Sequence, residues 1–234
     1  MKYANITPGV FIKRNNRFSA DVEINGQYET VHVKNTGRLS ELLIPGAKVW
    51  LTCPGSEGRK TKYDLVSVEK TFSDGITRIV NIDSQIPNAV AAQWLKTSGL
   101  FSSDALIKRE VKFANSRFDI YAEDAGRKAF IEVKGVTLER ESKALFPDAP
   151  TERGIKHLNE LRAAINEGYE SYVLFVIQMK GVNSFSPNYT THAEFGKTLT
   201  EAAANGVKVI AVDCIITPDG IFADKPVKVN LEEE

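Results

Sequence analysis

Polar and apolar residues alternate singly from Arg17 to Ile24. Phe18, Ala20, Val22 and Ile24 fall on one side, and Arg17, Ser19, Asp21 and Glu23 on the other. A period of two marks a half-buried strand. Asn25-Gly26 follows, the dipeptide that two-residue hairpins favour, and Tyr28 to Lys34 returns as a second strand. Three more short strands are predicted near Lys48–Cys53, Tyr63–Lys70 and Ile76–Ile82. Between them a Leu-rich segment (Leu39, Leu42, Leu43) has helical spacing. Five short strands in so short a stretch predict a small closed barrel, with an OB-fold or an SH3-like barrel both fitting the pattern.

After Pro87 the period lengthens. Asn88 to Thr97 reads as a helix, with Asn88 as its N-cap and Val90, Ala91, Trp94 and Leu95 on one stripe. Strands near Ile107–Phe113, Arg117–Glu123 and Ala129–Val136 form an antiparallel meander. Thr137 to Pro150 has no clear period. A helix starts near Glu152, capped by Thr151, with Ile155, Leu158, Leu161 and Ile165 inward. Ser171 to Gln178 is almost continuously apolar, as a strand covered on both faces is. A helix near Ala193–Asn205 and a strand near Val207–Ile216 follow. The chain therefore divides into an all-β domain, residues 1–86, and an α/β domain with a mixed sheet, residues 87–234.

The hairpin around Ala125-Gly126 carries the candidate chemistry. If it folds symmetrically, Asp119 lies opposite Glu132, and alternation places Lys134 on the same face. Phe118, Ile120, Ile131 and Val133 then point to a core. A one-residue slip would separate the two acids. Opposed carboxylates repel, and a divalent cation between them removes the repulsion. Their hard oxygens suit Mg2+ or Mn2+. With a lysine alongside, such a cation suits phosphodiester chemistry. The bland alternative is a solvated Glu-x-Lys strand face, which is frequent.

Composition changes this picture little. The chain has 234 residues and no net formal charge, so any basic surface must come from segregation of charge. Lys13, Arg14, Arg17, Lys34 and Arg38 gather in the first barrel strands, with Phe11, Phe18 and His32 nearby for stacking, and are candidates to follow a nucleic-acid backbone. Arg153, Lys156 and His157 share a face at the start of the Glu152 helix, where a phosphate would be welcome. No apolar run is long enough to cross a membrane, no signal-peptide core opens the chain, and Cys53 and Cys214 lack metal-ligand spacing. A reduced, cytoplasmic setting is expected.

Several blocks resemble the bacterial and archaeal sugar fermentation stimulation protein A family. They include Phe11-Ile12-Lys13-Arg14 with Arg17-Phe18-Ser19-Ala20-Asp21-Val22, Asn35-Thr36-Gly37-Arg38, Pro45-Gly46-Ala47-Lys48-Val49-Trp50, Pro87-Asn88 and Ser116-Arg117-Phe118-Asp119. Glu132-Val133-Lys134 and the long block Leu145 to Gly154 complete the set. The resemblance implies an N-terminal OB-fold and a C-terminal domain resembling PD-(D/E)xK nucleases. It also implies DNA binding and a role in regulating sugar (maltose) metabolism. Asp119, Glu132 and Lys134 match the acid, acid and lysine of the nuclease motif, which makes a metal-dependent DNA nuclease the alternative function. Nucleases of that kind often carry a further acid on the preceding helix. Asn88 to Thr97 has none, and Glu110 is the candidate substitute ligand.

Overall fold

The structure, a computed structural model, describes residues 1–55, 58–114 and 116–233. The barrel strands are β1 (Ile6–Asn16), β2 (Ser19–Ile24), β3 (Gln27–Val33), β4 (Lys48–Thr52), β5 (Asp64–Thr71) and β6 (Thr77–Asn81). β1 pairs antiparallel with β2 and β4, β2 with β3, and β5 with β4 and β6. A short parallel pairing of β3 with β5 closes the ring. This is the OB-type barrel, with β6 continuing from β5.

Among the described residues six strands are present where the pattern predicted five, because β1 was hidden by Pro8 and Gly9. Gly9 is required there: a Cβ on it would stand 2.6 Å from Val22 Cγ1. Arg17 and Phe18 belong to the β1–β2 turn and not to a strand, and Phe18 is exposed instead of inward. Ala20, Val22 and Ile24 are buried as their alternation requires. The Leu-rich segment is one turn, with Leu42 and Leu43 N–H groups on the Leu39 carbonyl, and not a helix.

The α/β domain runs α1 (Pro87–Leu95), β7 (Leu106–Phe113), β8 (Ser116–Asp124), β9 (Arg127–Val136), β10 (Leu138–Arg140), β11 (Lys143–Phe146), α2 (Glu152–Asn166), β12 (Glu170–Ile177), β13 (Ser184–Pro187), α3 (Tyr189–Ala204), β14 (Lys208–Thr217), β15 (Gly220–Pro226) and β16 (Lys228–Val229). The main sheet has the order β15-β14-β12-β9-β8-β7. β9, β12 and β14 are parallel at its centre, and the flanking strands are antiparallel. A second sheet, β10-β11-β13-β16, occupies much of the stretch that showed no period. Its strands have two to four residues, too few to display alternation.

α1 covers one face of the main sheet, where Val90, Ala91 and Leu95 meet Ile120, Ile131 and Leu174. α2 and α3 cover the other, through Leu158, Leu161, Phe195 and Leu199. Every residue of β12 after Glu170 is buried, which explains its unbroken apolar run. Among the described residues no helix is long and apolar enough to cross a membrane.

The domains meet through buried polar contacts. Gln178 Nε2 donates to Asn81 O (3.2 Å), Asn81 Oδ1 (2.8 Å) and Asp83 O (3.1 Å), and Lys70 pairs with the buried Glu139 at 2.7 Å. Arg14 ties the barrel loops together. Nη1 donates to Gly37 O (2.5 Å) and Arg38 O (2.7 Å), and Nη2 to Arg17 O (2.7 Å) and Asn35 O (2.6 Å). Nε donates to Asn16 O (3.1 Å). All five guanidinium donors are thus spent on backbone carbonyls. Lysine keeps the charge but cannot make this fork. Arg14→Lys is therefore expected to lower stability by roughly 1–3 kcal/mol, the range for losing hydrogen bonds to a charged group. Chemical denaturation followed by circular dichroism measures this, and an unchanged midpoint would show that the loop carbonyls are satisfied without the fork.

Candidate metal centre

The site begins at the β8–β9 hairpin. Ala125 (φ 49°) and Gly126 (φ 84°) form its two-residue turn. The ladder keeps the symmetric register from Asp124 opposite Arg127 to Ile120 opposite Ile131. It then stops one pair short of the acids. The Asp119 carboxylate takes the place of the missing backbone bond, with Oδ2 accepting from Val133 N at 2.8 Å. On its other flank the β7–β8 ladder omits the Glu110–Asp119 pair, and Glu110 sits at φ 58°. β8 changes face at this break. Phe118 packs on Phe113, Phe130 and the His157 ring, on the α2 side, while Ile120 packs on the α1 side. Phe118 and Ile120 were expected on one face; the ladder break separates them.

Glu132 is 3% exposed. Its Oε1 accepts from Lys134 Nζ at 2.7 Å and contacts His157 Nδ1. Its Oε2 is buried and has no hydrogen-bond partner. Burial acts to raise its pKa. The His157 hydrogen bond and the Lys134 charge outweigh this and leave the pKa below the ordinary value, so Glu132 is ionised at neutral pH. Asp119 shifts the other way. Burial pushes its carboxyl up, the neighbouring Glu132 charge adds to the rise, and the bond from Val133 N–H opposes it. Asn88 Nδ2 donates to Asp119 Oδ1 at 2.7 Å. The arrangement is therefore not a bare like-charge pair, because Glu132 already has two cationic or donor neighbours. The strain rests on Asp119.

His157 was expected on a solvent-facing phosphate surface. It is instead 5% exposed and turned inward to Glu132. Arg153 Nε donates to His157 Nε2 at 3.4 Å, which leaves Nδ1 to carry the proton toward Glu132. Lys156 faces outward, near Glu160 at 3.8 Å. Asn88 is not the cap of α1: Ile86 holds that position, and Asn88 reaches the site from the first turn. Nothing in its spacing distinguishes that role from a cap. Glu110 stands half exposed beside Arg117 at 3.9 Å. Among the described residues no group of three or more His, Cys, Asp or Glu side chains is placed to hold a metal, so Glu110 does not complete a shell with Asp119 and Glu132.

The barrel cations separate into two kinds. Arg14 is consumed by carbonyls, and Lys34 pairs with the buried Asp83 at 2.7 Å, so both serve the fold. Lys13, Arg17 and Arg38 are exposed, with Lys13 near Asp21 at 3.8 Å and Arg17 against the Phe18 ring. Phe11 is buried and unavailable for stacking, and His32 contacts Asp64. Exposed Lys60 and Lys62, on the β4–β5 connection, extend the basic surface. The run Arg59-Lys60-Thr61-Lys62 was the available signal for them.

The family profile described as "Sugar fermentation stimulation protein RE domain" matches residues 85–220, and "SfsA N-terminal OB domain" matches 12–82. A "Sugar fermentation stimulation protein homolog" of Desulfitobacterium hafniense is 54% identical over the full length of both chains. One of Ruminiclostridium cellulolyticum is 49% identical over 99% of this chain and 100% of its own. The solved structure described as "The structure of Pyrococcus Furiosus SfsA in complex with Ca2+" superposes with a TM-score of 0.85. It is 27% identical and covers 98% of each chain.

A group with a raised acid pKa adds stability below its unfolded pKa and loses it as pH rises through the folded one. Asp119→Asn should therefore melt at or above the wild-type temperature in EDTA at neutral pH. The difference should vanish below about pH 4, where the unfolded carboxyl is itself protonated. Added Mn2+ should raise the melting temperature of the wild type and not of the variant. Thermal denaturation across pH checks this. A variant that melts earlier in EDTA would make the ionised Asp119 a net structural acceptor for Val133 and Asn88.

Proposed function

The chain belongs to the sugar fermentation stimulation protein family, and from that premise we propose that it binds DNA without strong sequence preference, strengthened by a divalent cation at Asp119 and Glu132. The observation that carries the reading is Glu132 Oε2, buried with no partner on a side chain whose charge acts on Asp119. Such an atom costs free energy, and a cation offsets that cost together with the repulsion from Asp119. Hard oxygen donors suit Mg2+, Mn2+ or Ca2+. The Ca2+ complex of the Pyrococcus furiosus relative supports this choice. Two protein carboxylates alone make the ion weakly held.

Lys13, Arg17, Arg38, Arg153 and Lys156 are the exposed cations proposed to meet phosphates. Phosphate contacts fix position and carry no base information. A role in regulating sugar metabolism then runs through DNA binding.

Cleavage is the second reading, favoured by Lys134 standing 2.7 Å from Glu132. A divalent cation, when bound, supplies charge stabilisation at a phosphoryl oxygen. Lys134 can turn a proton from Glu132 toward a phosphate oxygen, while His157 keeps Glu132 ionised and oriented. Asn88 and the Val133 N–H orient Asp119.

Fluorescence anisotropy against salt tests the first reading. Affinity should fall steeply with salt, and reversing Arg17, Arg38 and Lys156 to Glu should flatten the log–log slope by about one for each phosphate no longer neutralised. Mn2+ should tighten binding in the wild type and not in Asp119→Asn. Tight, sequence-selective binding in high salt contradicts this reading. Supercoiled plasmid with Mn2+ tests the second: nicking should disappear in both Asp119→Asn and Lys134→Ala, and nicking that survives both rules this site out as its source.

A further inference from the structure

Between the barrel and the α/β domain lies a cleft of ≈ 340 Å³. One wall is the Asn35–Gly37 loop. Arg14 holds its carbonyls, Asn35 Nδ2 donates to Ile82 O at 3.0 Å, and Gly37 N donates to Asn35 Oδ1 at 2.7 Å. The opposite wall is the segment from Phe146 to Thr151. Asn188 N donates to Phe146 O (2.7 Å), Asn188 Nδ2 to Pro147 O (3.0 Å), and Thr151 N to His192 Nδ1 (3.2 Å). Both walls are set by the fold before any ligand arrives, which lowers the ordering cost of binding.

The lining has a definite chemistry. Among the described residues it contains no Lys, Arg or His, and its one charge is Asp148. A phosphate therefore finds no counter-charge inside. Thr36, Ser84 and Thr137 offer hydroxyl oxygens, Gln178 offers its amide oxygen, and the exposed Pro150 offers a flat apolar surface. Polar edges with apolar faces match an unpaired nucleobase, which is recognised by hydrogen bonds at its rim and packing on its planes. The volume lies at the small end of the usual range of about 300–1,000 Å³ for small-molecule sites. It admits one nucleotide unit and no duplex.

It lies at the end of β9 that carries Glu132 and Lys134. Gly135, on the cleft lining, directly follows Lys134. A Cβ there would stand 2.5 Å from Gln178 Oε1 and 2.8 Å from Pro87 Cγ, so the bare backbone lets α1 and Gln178 close on β9. Pro87 precedes Asn88, which holds Asp119. Thr151, on the opposite wall, caps the helix that presents Arg153 and His157.

We propose that this cleft receives one unpaired base of a nucleic acid whose backbone passes Arg153 and the Asp119–Glu132 pair, so that the preferred ligand is single-stranded or locally unpaired DNA. The proposal rests on the DNA-binding reading above and names its substrate class.

The test compares a single-stranded oligonucleotide, its matched duplex, and a duplex with one unpaired 2-aminopurine, each measured by anisotropy with the full-length protein. The single strand should bind roughly tenfold more tightly than the matched duplex, the scale of one well-held base. The 2-aminopurine emission should change on binding. Thr36→Trp and Ala149→Trp, two exposed positions on opposite walls, should each fill the cleft and abolish the single-strand preference. Mn2+ affinity, read by electron paramagnetic resonance, should be unchanged in both. Equal wild-type affinity for single strand and duplex overturns the proposal, and so does a preference that survives both substitutions. Salt-dependent binding of both forms without preference would leave the DNA-binding reading standing and remove the cleft's role. Binding of neither form ends both readings. A neutral disaccharide that competes with the single strand would reassign the cleft to a sugar.

Discussion

β9 is the constraint on which the functional half of the molecule depends. It is paired antiparallel with β8 on one edge and parallel with β12 on the other. Covered on both faces, it forces alternate residues into opposite cores. Ile131 and Val133 go toward α1, so Glu132 and Lys134 must go toward α2. A carboxylate in such a place needs compensation. The fold provides it on one oxygen, through Lys134 and His157, and withholds it on the other. The β8–β9 ladder opens at the same level, and Asp119 fills the gap by accepting the Val133 N–H. One local failure of strand pairing thus creates the backbone bond that fixes Asp119 and brings it beside Glu132.

The barrel contributes position more than charge. Two of its cations, Arg14 and Lys34, hold loops and a buried acid. Arg14 thereby fixes the Asn35–Gly37 wall of the cleft, and Lys34 fixes Asp83, next to Ser84 of its lining. Asn81 and Gln178 bond to each other's chains across the domain junction. Loss of that buried pair would leave polar groups unsatisfied on both sides, so the junction resists opening. A rigid junction suits a site whose parts come from both domains, since positioning within a fraction of an ångström is what a preformed site supplies. The exposed cations can then guide a polyanion without being needed for folding.

Much of this was written locally in the chain. Alternation gave the barrel strands from Ala20 onward, and Ala125-Gly126 gave a hairpin register correct to the last pair, because turn geometry and a period of two are properties of neighbouring residues. Thr151 was legible as a cap for the same reason: its side chain bonds the N–H of Gly154, three residues on, at 3.1 Å. The unbroken apolar run of β12 declared a strand covered on both faces. Alternation along β9 placed Glu132 and Lys134 on one face, and Asp119 joins them where the ladder opens.

The partners of these residues were decided by tertiary structure. Helical spacing groups Arg153, Lys156 and His157, but only the packing of α2 against β8 and β9 turns His157 inward to a carboxylate and leaves Lys156 outside. Asn88 has the composition of a cap, and the approach of α1 to the sheet made it a partner of Asp119. Arg14 carries the same charge as Arg17, and the folded loops alone present five carbonyls to one of them. β1 was masked by Pro8 and Gly9, which fit only because Val22 packs against that bare backbone. Periodicity and turn chemistry act between near neighbours, so the chain by itself determined the elements and the hairpin that carries the acids. Burial, compensation of charge and the shape of the cleft arise between residues distant in sequence, and only the assembled fold could assign them.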